Sequence, residues 1–117
     1  MLKPAEMAKI AALALDEKLG KNIAVMRTTD VTVLADYFVI CTANSGSHVK
    51  SLTDIVEAKL EAQGEPVHKR EGDRNSGWIL LDFGCVIVHV FMEEAREFYD
   101  LERLWADAQR VAIEDLG

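Results

Sequence analysis

The sequence feature that most restricts the fold is an apolar run near the middle of the chain. Residues 37–42 read Tyr-Phe-Val-Ile-Cys-Thr, without the alternation of apolar and polar side chains that a half-exposed strand shows. A run of this kind is typical of a central strand that is covered on both faces. It therefore predicts a layered α/β protein in which helices pack on a sheet.

The rest of the pattern predicts the elements around that strand. Helices are predicted from Pro4 to before Gly20, from the Asn44–Ser47 loop to before Gly64, and from about Glu93 onward. Strands are predicted at residues 22–27, 36–42, 67–71, 78–83 and 85–91. The order α-β-β-α-β-β-β-α indicates a mixed five-stranded sheet with packed helices.

The closing helix carries apolar residues that are expected to face the core. These are Phe98, Leu101, Leu104, Trp105 and Ala108, at the three- and four-residue spacing of one helix face. A break near Asp100 is the alternative to one continuous helix.

The charge of the chain narrows the classes of partner. The net charge is −7, and the last 25 residues carry eight acidic and three basic side chains. An excess of carboxylates opposes nucleic acid binding, which depends on Lys and Arg releasing counterions, and it opposes anionic membranes too. Two interpretations of the acidic end stay open, a solvated helix face or a surface that attracts a basic partner.

Other features favour a soluble, single-domain protein in the reducing cytoplasm. The length of 117 residues suits one domain, and no apolar run reaches the roughly 20 residues of a membrane-spanning helix. The first residues lack the apolar stretch of a signal peptide. Two cysteines, Cys41 and Cys85, make neither a disulfide framework nor a zinc site.

No group of titratable residues has the spacing of a catalytic or metal-binding motif. The candidates are His48, His68, His89, Cys41, Cys85, Asp36 and Asp82. Each has an ordinary structural alternative, since an isolated histidine or a strand cysteine is more often a packed side chain than a ligand or a nucleophile. Ser45–His48 suits phosphate binding at a helix N-terminus only weakly, and helix capping is the simpler interpretation. We therefore expect no catalytic residue, no metal and no cofactor.

Five segments, taken in order, resemble the signature of the ribosomal silencing factor family, RsfS, which is also called Iojap. They are Asp36–Thr42, Ser47–Val49, Gly77–Gly84, Val88–Phe91 and Arg96–Trp105. The resemblance covers about residues 4–106. The family domain is therefore assigned to residues 1–106, and residues 107–117 are assigned to a C-terminal tail.

The resemblance implies a fold, a partner and an activity. Members of the family have a mixed α/β domain that is similar in topology to nucleotidyltransferases, and they form homodimers when free. They bind the large ribosomal subunit through ribosomal protein L-fourteen and block joining of the small subunit, which makes them translational repressors. Organellar relatives are linked to assembly of the large subunit, so a large-subunit biogenesis factor is the alternative.

The nucleotidyltransferase topology does not imply catalysis in this chain. In such enzymes a Gly-Ser motif is followed by two carboxylates that are two residues apart, Asp-x-Asp or Asp-x-Glu, and these hold a pair of metal ions. Here Gly46–Ser47 is followed by Asp54 and Glu57, which are three residues apart. The metal pair is missing, so the chain is not expected to be an enzyme, and a nucleotide-handling enzyme is the weaker alternative.

The strand hairpin around Gly84 supplies a candidate anchor for the ribosomal partner. A two-residue turn at Phe83–Gly84 pairs Trp78 with His89. That register places four side chains on one face of the sheet, namely Trp78, Leu80, Asp82 and His89. A core position is common for tryptophan, but tryptophan is also enriched at binding hot spots. With the resemblance, these residues are expected to bind the partner.

The closing helix supplies a candidate rim for the same surface. Arg96, Tyr99 and Glu102 recur at three-residue spacing and share a helix face, next to the acidic pair Glu93 and Glu94. These five residues are expected to border the contact with the basic partner. Salt bridging within the helix is the alternative.

Overall fold

The computed structural model describes residues 2–73 and 75–116. Within that part of the chain there are four α-helices and six strands. In chain order they are α1 Pro4–Glu17, β1 Lys21–Arg27, β2 Tyr37–Ala43, α2 Gly46–Ala62, β3 Lys69–Asp73, β4 Trp78–Asp82, β5 Val86–Met92, α3 Glu93–Tyr99, α4 Leu101–Leu104 and β6 Gln109–Val111, followed by a 3-10 turn at Ile113–Asp115. The mixed α/β class and the order of the elements up to β5 confirm the prediction.

The apolar run of the sequence forms β2, which lies inside the sheet. The strand order is β3-β4-β5-β2-β1-β6. β2 pairs parallel with β5 and antiparallel with β1. From Phe38 to Ala43 every residue of the strand is buried, as predicted for a strand covered on both faces. The parallel pair requires a long connection, which α2 and the β3–β4 hairpin provide.

One face of the sheet is covered by α1 and α2, and we call it the helical face. The buried side of α2 carries Val49, Leu52, Val56 and Leu60, at the spacing that the sequence predicts. The N-cap is Ser45, whose side chain accepts a hydrogen bond from the His48 backbone N–H at 3.2 Å. The buried side of α1 is rich in alanine, which lets that helix approach the sheet closely.

The opposite face, which we call the second face, is covered only in part. Its cluster of buried side chains consists of Ala24, Met26, Ala35, Phe38, Ile40 and Phe91. Leu101, Trp105 and Ala108 pack on this cluster, and the Trp105 ring meets Phe38 edge-on with centroids 5.7 Å apart. The β4 side chains that point to the same face remain half-buried.

The region after β5 differs from the prediction in its strand count and in two helix residues, and it confirms the alternative of a broken closing helix. The described sheet has six strands rather than five, because residues 109–111 pair antiparallel with β1, Val111 opposite Val25. The closing helix does break, at Asp100, which takes a left-handed conformation with φ 45°. Phe98 and Leu104 were predicted to face the core, but their side chains are 82% and 69% exposed. The break rotates α4 relative to α3, so one helical phase does not extend through both.

The β4–β5 hairpin has a register two residues away from the predicted one. Trp78 lies opposite Phe91, and Leu80 lies opposite His89. The Phe83 N–H donates to the Val86 carbonyl at 2.9 Å, so these two residues lie opposite each other and the turn consists of Gly84 and Cys85, one residue further along the chain than predicted. A shift of two residues leaves every side chain on its predicted face, because the side chains of a strand alternate with a period of two.

Arg96 bonds α3 to the neighbouring ends of β1 and β2. Its Nη1 donates to the Asn22 carbonyl at 2.6 Å and to Thr42 Oγ1 at 2.9 Å. Its Nε donates to Glu102 Oε1 at 3.0 Å, and the other oxygen of Glu102 accepts from Arg110 at 3.2 Å. The Arg96 side chain is only 14% exposed, so these charge-assisted bonds set how α3 and α4 lie on the sheet.

Candidate docking surface

The candidate surface is the part of the second face that residues 95–108 leave uncovered. Trp78, Leu80 and Asp82 alternate along β4 and point to this face, and each is half-buried. Ile87 of β5 lies opposite Asp82 and is half-buried as well. The structure therefore brings the predicted β4 residues to the surface on one face of the sheet.

An aromatic cluster lies at the end of this surface. The Trp78 indole stacks on Phe91, with ring centroids 5.1 Å apart and an interplanar angle of 26°. Tyr99 of α3 lies against the same indole at 4.6 Å, and Phe98 meets Tyr99 edge-on at 5.1 Å. Tyr99 is 45% exposed, so the cluster presents aromatic rings to solvent. The predicted anchor residues of the hairpin and the predicted rim residues of the closing helix therefore meet where Trp78 contacts Tyr99.

His89 lies underneath this cluster rather than on the surface. Its side chain is 4% exposed, and its Nδ1 accepts a hydrogen bond from the Trp78 indole N–H at 3.2 Å. Burial lowers the pKa of His89 to about 4, because the charged imidazolium would lose its hydration there. The imidazole is therefore neutral near pH 7.

The remaining predicted residues fall into two groups. Glu93 and Glu94 are exposed on the first turn of α3, where they line an open cleft of about 840 Å³ that Tyr99 also lines. Arg96 and Glu102 bond to each other; Arg96 also donates to the Asn22 carbonyl of β1, and Glu102 accepts from Arg110 of β6, so the pair positions α3 and α4. Asp82 accepts the Gly84 backbone N–H at 2.7 Å and stabilises the hairpin loop.

Phe91 and Phe98 belong to the aromatic cluster, although the sequence did not single them out as site residues. Phe91 lies two residues after His89 on the same strand. Because side chains alternate along a strand, the sequence was sufficient to place Phe91 on the same face as His89. Phe98 was assigned to the core because its spacing matches Leu101 and Trp105 across a helix that is in fact broken. Nothing in the local sequence gives the rotation between the two short helices.

His48 and Cys41, two of the titratable candidates from the sequence, have structural roles. His48 Nδ1 accepts the Asn44 N–H at 2.9 Å, and its Nε2 lies 2.8 Å from the Lys18 carbonyl, which ties the start of α2 to the end of α1. Burial raises the pKa of the Cys41 thiol to about 12, so this thiol stays protonated.

In residues 2–73 and 75–116 no three His, Cys, Asp or Glu side chains come together as metal ligands. No helix in these ranges is long and apolar enough to cross a bilayer.

Comparison with known proteins assigns this layered α/β fold to a family. A family model described as "Ribosomal silencing factor during starvation" matches residues 2–117. The ribosomal silencing factor of Bacillus subtilis is 39% identical over 100 residues, which cover 86% of this chain and 85% of that protein. The corresponding factor of Halalkalibacterium halodurans is 33% identical over 109 residues, 93% of each chain.

The chain belongs to the ribosomal silencing factor family. The fold agrees, since the crystal structure of a protein from Chromobacterium violaceum matches it with a TM-score of 0.86 at 33% identity, covering 95% of this chain and 92% of that one. The resemblance stated from the sequence is thereby confirmed, and so is the mixed α/β fold.

The burial of His89 predicts a specific pH dependence of stability. An unfolded histidine titrates near pH 6.5, whereas His89 in the folded chain titrates near pH 4. Between these values the unfolded chain binds a proton that the folded chain does not bind, so stability is complete above about pH 6.5 and falls as the pH decreases. The expected loss of unfolding free energy is about 1.4 kcal/mol per pH unit, or about 3 kcal/mol by pH 4.

Urea unfolding of the wild-type protein and of His89→Phe at about pH 7, 6 and 5 measures the contribution of His89 to the free energy of unfolding. The variant keeps all the carboxylates, so the difference between the two curves isolates the histidine. We expect the wild-type protein to lose stability relative to the variant as the pH falls. Parallel curves would show that His89 is not a buried neutral group.

Proposed function

We propose that the protein is a translational repressor that binds the large ribosomal subunit and sterically blocks joining of the small subunit. Family membership supports the ribosome as the target, since the relatives are named ribosomal silencing factors. The contact on the ribosome is a basic protein, for which the family resemblance implies ribosomal protein L-fourteen. This function requires affinity and bulk at the subunit interface, and it requires no catalysis.

The observation that carries the proposal is the aromatic cluster on the uncovered part of the second face. Trp78 and Tyr99 present large, stiff rings in mutual contact at 4.6 Å. Rings of this kind bury much area with little loss of side-chain freedom, which is why they dominate binding hot spots. A standard interface of about 800 Å² per partner takes about one eighth of the 6499 Å² surface of this chain.

The size of the protein supports occlusion as the mechanism. Its principal-axis extents are 32 × 32 × 25 Å. Direct contacts between ribosomal subunits close to hydrogen-bond distances of about 3 Å, so a body of this thickness on the joining face holds the two subunits apart. No movement within the protein is needed for that effect.

The charge of the protein favours a protein contact over ribosomal RNA. The net charge is −7, and Glu93 and Glu94 are exposed beside Tyr99. Carboxylates repel the RNA backbone, whereas they steer a basic protein surface into position and raise its association rate. We place Leu80 in the contact beside Trp78, and Asp82, His89, Arg96 and Glu102 act by holding the contacting side chains. The proposal places the protein in the cytoplasm, as a homodimer when it is free.

Removal of the Trp78 side chain tests the aromatic anchor. We expect Trp78→Ala to weaken binding to the large subunit by about 2 kcal/mol or more, which is roughly 30-fold, because the variant removes the largest ring of the aromatic cluster. Co-sedimentation with purified large subunits measures the affinity, and circular dichroism checks the fold.

Leu13→Ala is the control for this substitution, since Leu13 is 48% exposed on α1, which covers the helical face. That variant should bind like the wild-type protein. A folded Trp78→Ala protein with undiminished co-sedimentation would exclude Trp78 as the anchor.

Reversal of the acidic border tests the charge of the partner. The double variant Glu93→Lys, Glu94→Lys should bind large subunits more slowly and with a weaker salt dependence, because rim charges act mainly on the association rate. Asp16→Lys, Glu61→Lys is the matched control, with the same change in net charge at exposed positions of α1 and α2. Equal association rates for the two double variants would contradict a basic partner at the α3 border.

A further inference from the structure

His89 occupies a central position beneath the aromatic cluster. It lies on β5 between Ile40 of β2 and Leu80 of β4. The Phe38 ring meets it edge-on with centroids 5.1 Å apart, and the Phe91 ring lies nearly parallel to it at 6.0 Å. With the Trp78 indole at 5.8 Å, the imidazole is enclosed by aromatic rings. A phenylalanine would satisfy packing at such a position as well as a histidine does.

The hydrogen bonds of His89 are unequal at its two ring nitrogens. Nδ1 accepts the Trp78 indole N–H at 3.2 Å, so the proton of the neutral ring lies on Nε2. Nε2 is buried and has no hydrogen-bond partner among the residues that the structure describes. A buried donor without an acceptor lowers the stability of the folded chain. The unpaired Nε2–H of His89 therefore lowers the stability of the folded chain, whereas Nδ1 makes one specific hydrogen bond.

We propose that His89 is a positioning residue, whose Nδ1 holds the Trp78 indole in the orientation that docking requires. The inference rests on the proposed function, since Trp78 is the anchor of the docking surface. Trp78 lies at the first position of β4 and is only half-buried. Its ring packs on Phe91 and Tyr99, but ring contacts do not fix the direction of the indole N–H, whereas the bond to Nδ1 does. Fixing the ring before binding removes part of the entropy that association would otherwise cost.

The neutral state of the ring makes this role possible over the physiological range. Protonation at Nδ1 would remove the acceptor, and burial opposes that protonation by lowering the pKa to about 4. The rings that contact the imidazole are those of Phe38, Phe91 and Trp78, and its neighbours on the adjoining strands are Ile40 and Leu80; none of these side chains carries a charge.

His89→Phe separates the positioning role from a packing role. It keeps a ring of similar size, removes the acceptor for the indole and removes the unpaired Nε2–H. We expect an unchanged or higher thermal midpoint together with an affinity for large subunits that is about three- to ten-fold lower, the range expected for one side chain that must be ordered on binding. Unchanged affinity would overturn the inference, and so would a loss of affinity that merely follows a loss of stability.

A double-mutant cycle tests whether His89 acts through Trp78. In a Trp78→Phe background the indole N–H is absent, so His89→Phe should cause no further loss of affinity. A second loss of the same size in that background would show that His89 acts through another group and would overturn the inference.

Nuclear magnetic resonance of the free, unmodified protein supplies a test that needs no ribosome. The ¹⁵N shifts of His89 should report a neutral ring with its proton on Nε2, and the Trp78 indole N–H should exchange slowly with solvent. His89→Phe should speed that exchange, whereas His89→Asn, which keeps an acceptor near the position of Nδ1, should largely retain its slowness. A proton on Nδ1, or fast exchange in the unmodified protein, would overturn the inference even if the variants did not fold.

The two levels of the proposal fail in different ways. If the unmodified protein does not bind large subunits, the proposed function is wrong, and the resonance data still decide whether the imidazole holds the indole. If the unmodified protein binds and His89→Phe binds equally well, the proposed function stands and this inference is wrong.

Discussion

The structure depends on unequal coverage of the two faces of its sheet. Six described strands, spaced by about 4.8 Å, need two long helices to cover one face, and α1 and α2 fill that role. The second face receives α3 and α4, which have seven and four residues. That is too little helix to cover the face, so the β4 side of it stays at the surface. A surface of apolar side chains that the chain cannot cover with its own elements is available to a partner.

Two sets of contacts hold the aromatic side chains of this uncovered surface in defined positions. Arg96 bonds to the Asn22 carbonyl and to Thr42, and so fixes α3 where Tyr99 lies against Trp78. His89 bonds to the indole from below. In the proposed docking, the bond to His89 orients Trp78 and the bonds of Arg96 place Tyr99, while the exposed carboxylates of α3 give that end of the surface a negative charge.

Much of the fold could be predicted from the sequence because its signals are local. The burial of β2 follows from one apolar run, and α2 follows from the spacing of Val49 to Leu60. The shared face of Trp78, Leu80, Asp82 and His89 follows from strand parity, which survives an error of two residues in register. β6 could not be predicted, since three residues form a strand only because β1 offers them an edge. The Trp78–Tyr99 contact depends on Arg96 reaching residues 22 and 42, which local periodicity does not reveal.

The central claim is that the bound protein keeps the ribosomal subunits apart by its bulk. The most direct measurement mixes purified large and small subunits with increasing amounts of the protein and separates the particles on a density gradient. If the claim holds, the peak of joined ribosomes declines in proportion to the amount of protein found on free large subunits. The subunits themselves remain chemically unchanged. Full joining with the protein still bound to the large subunit would contradict it.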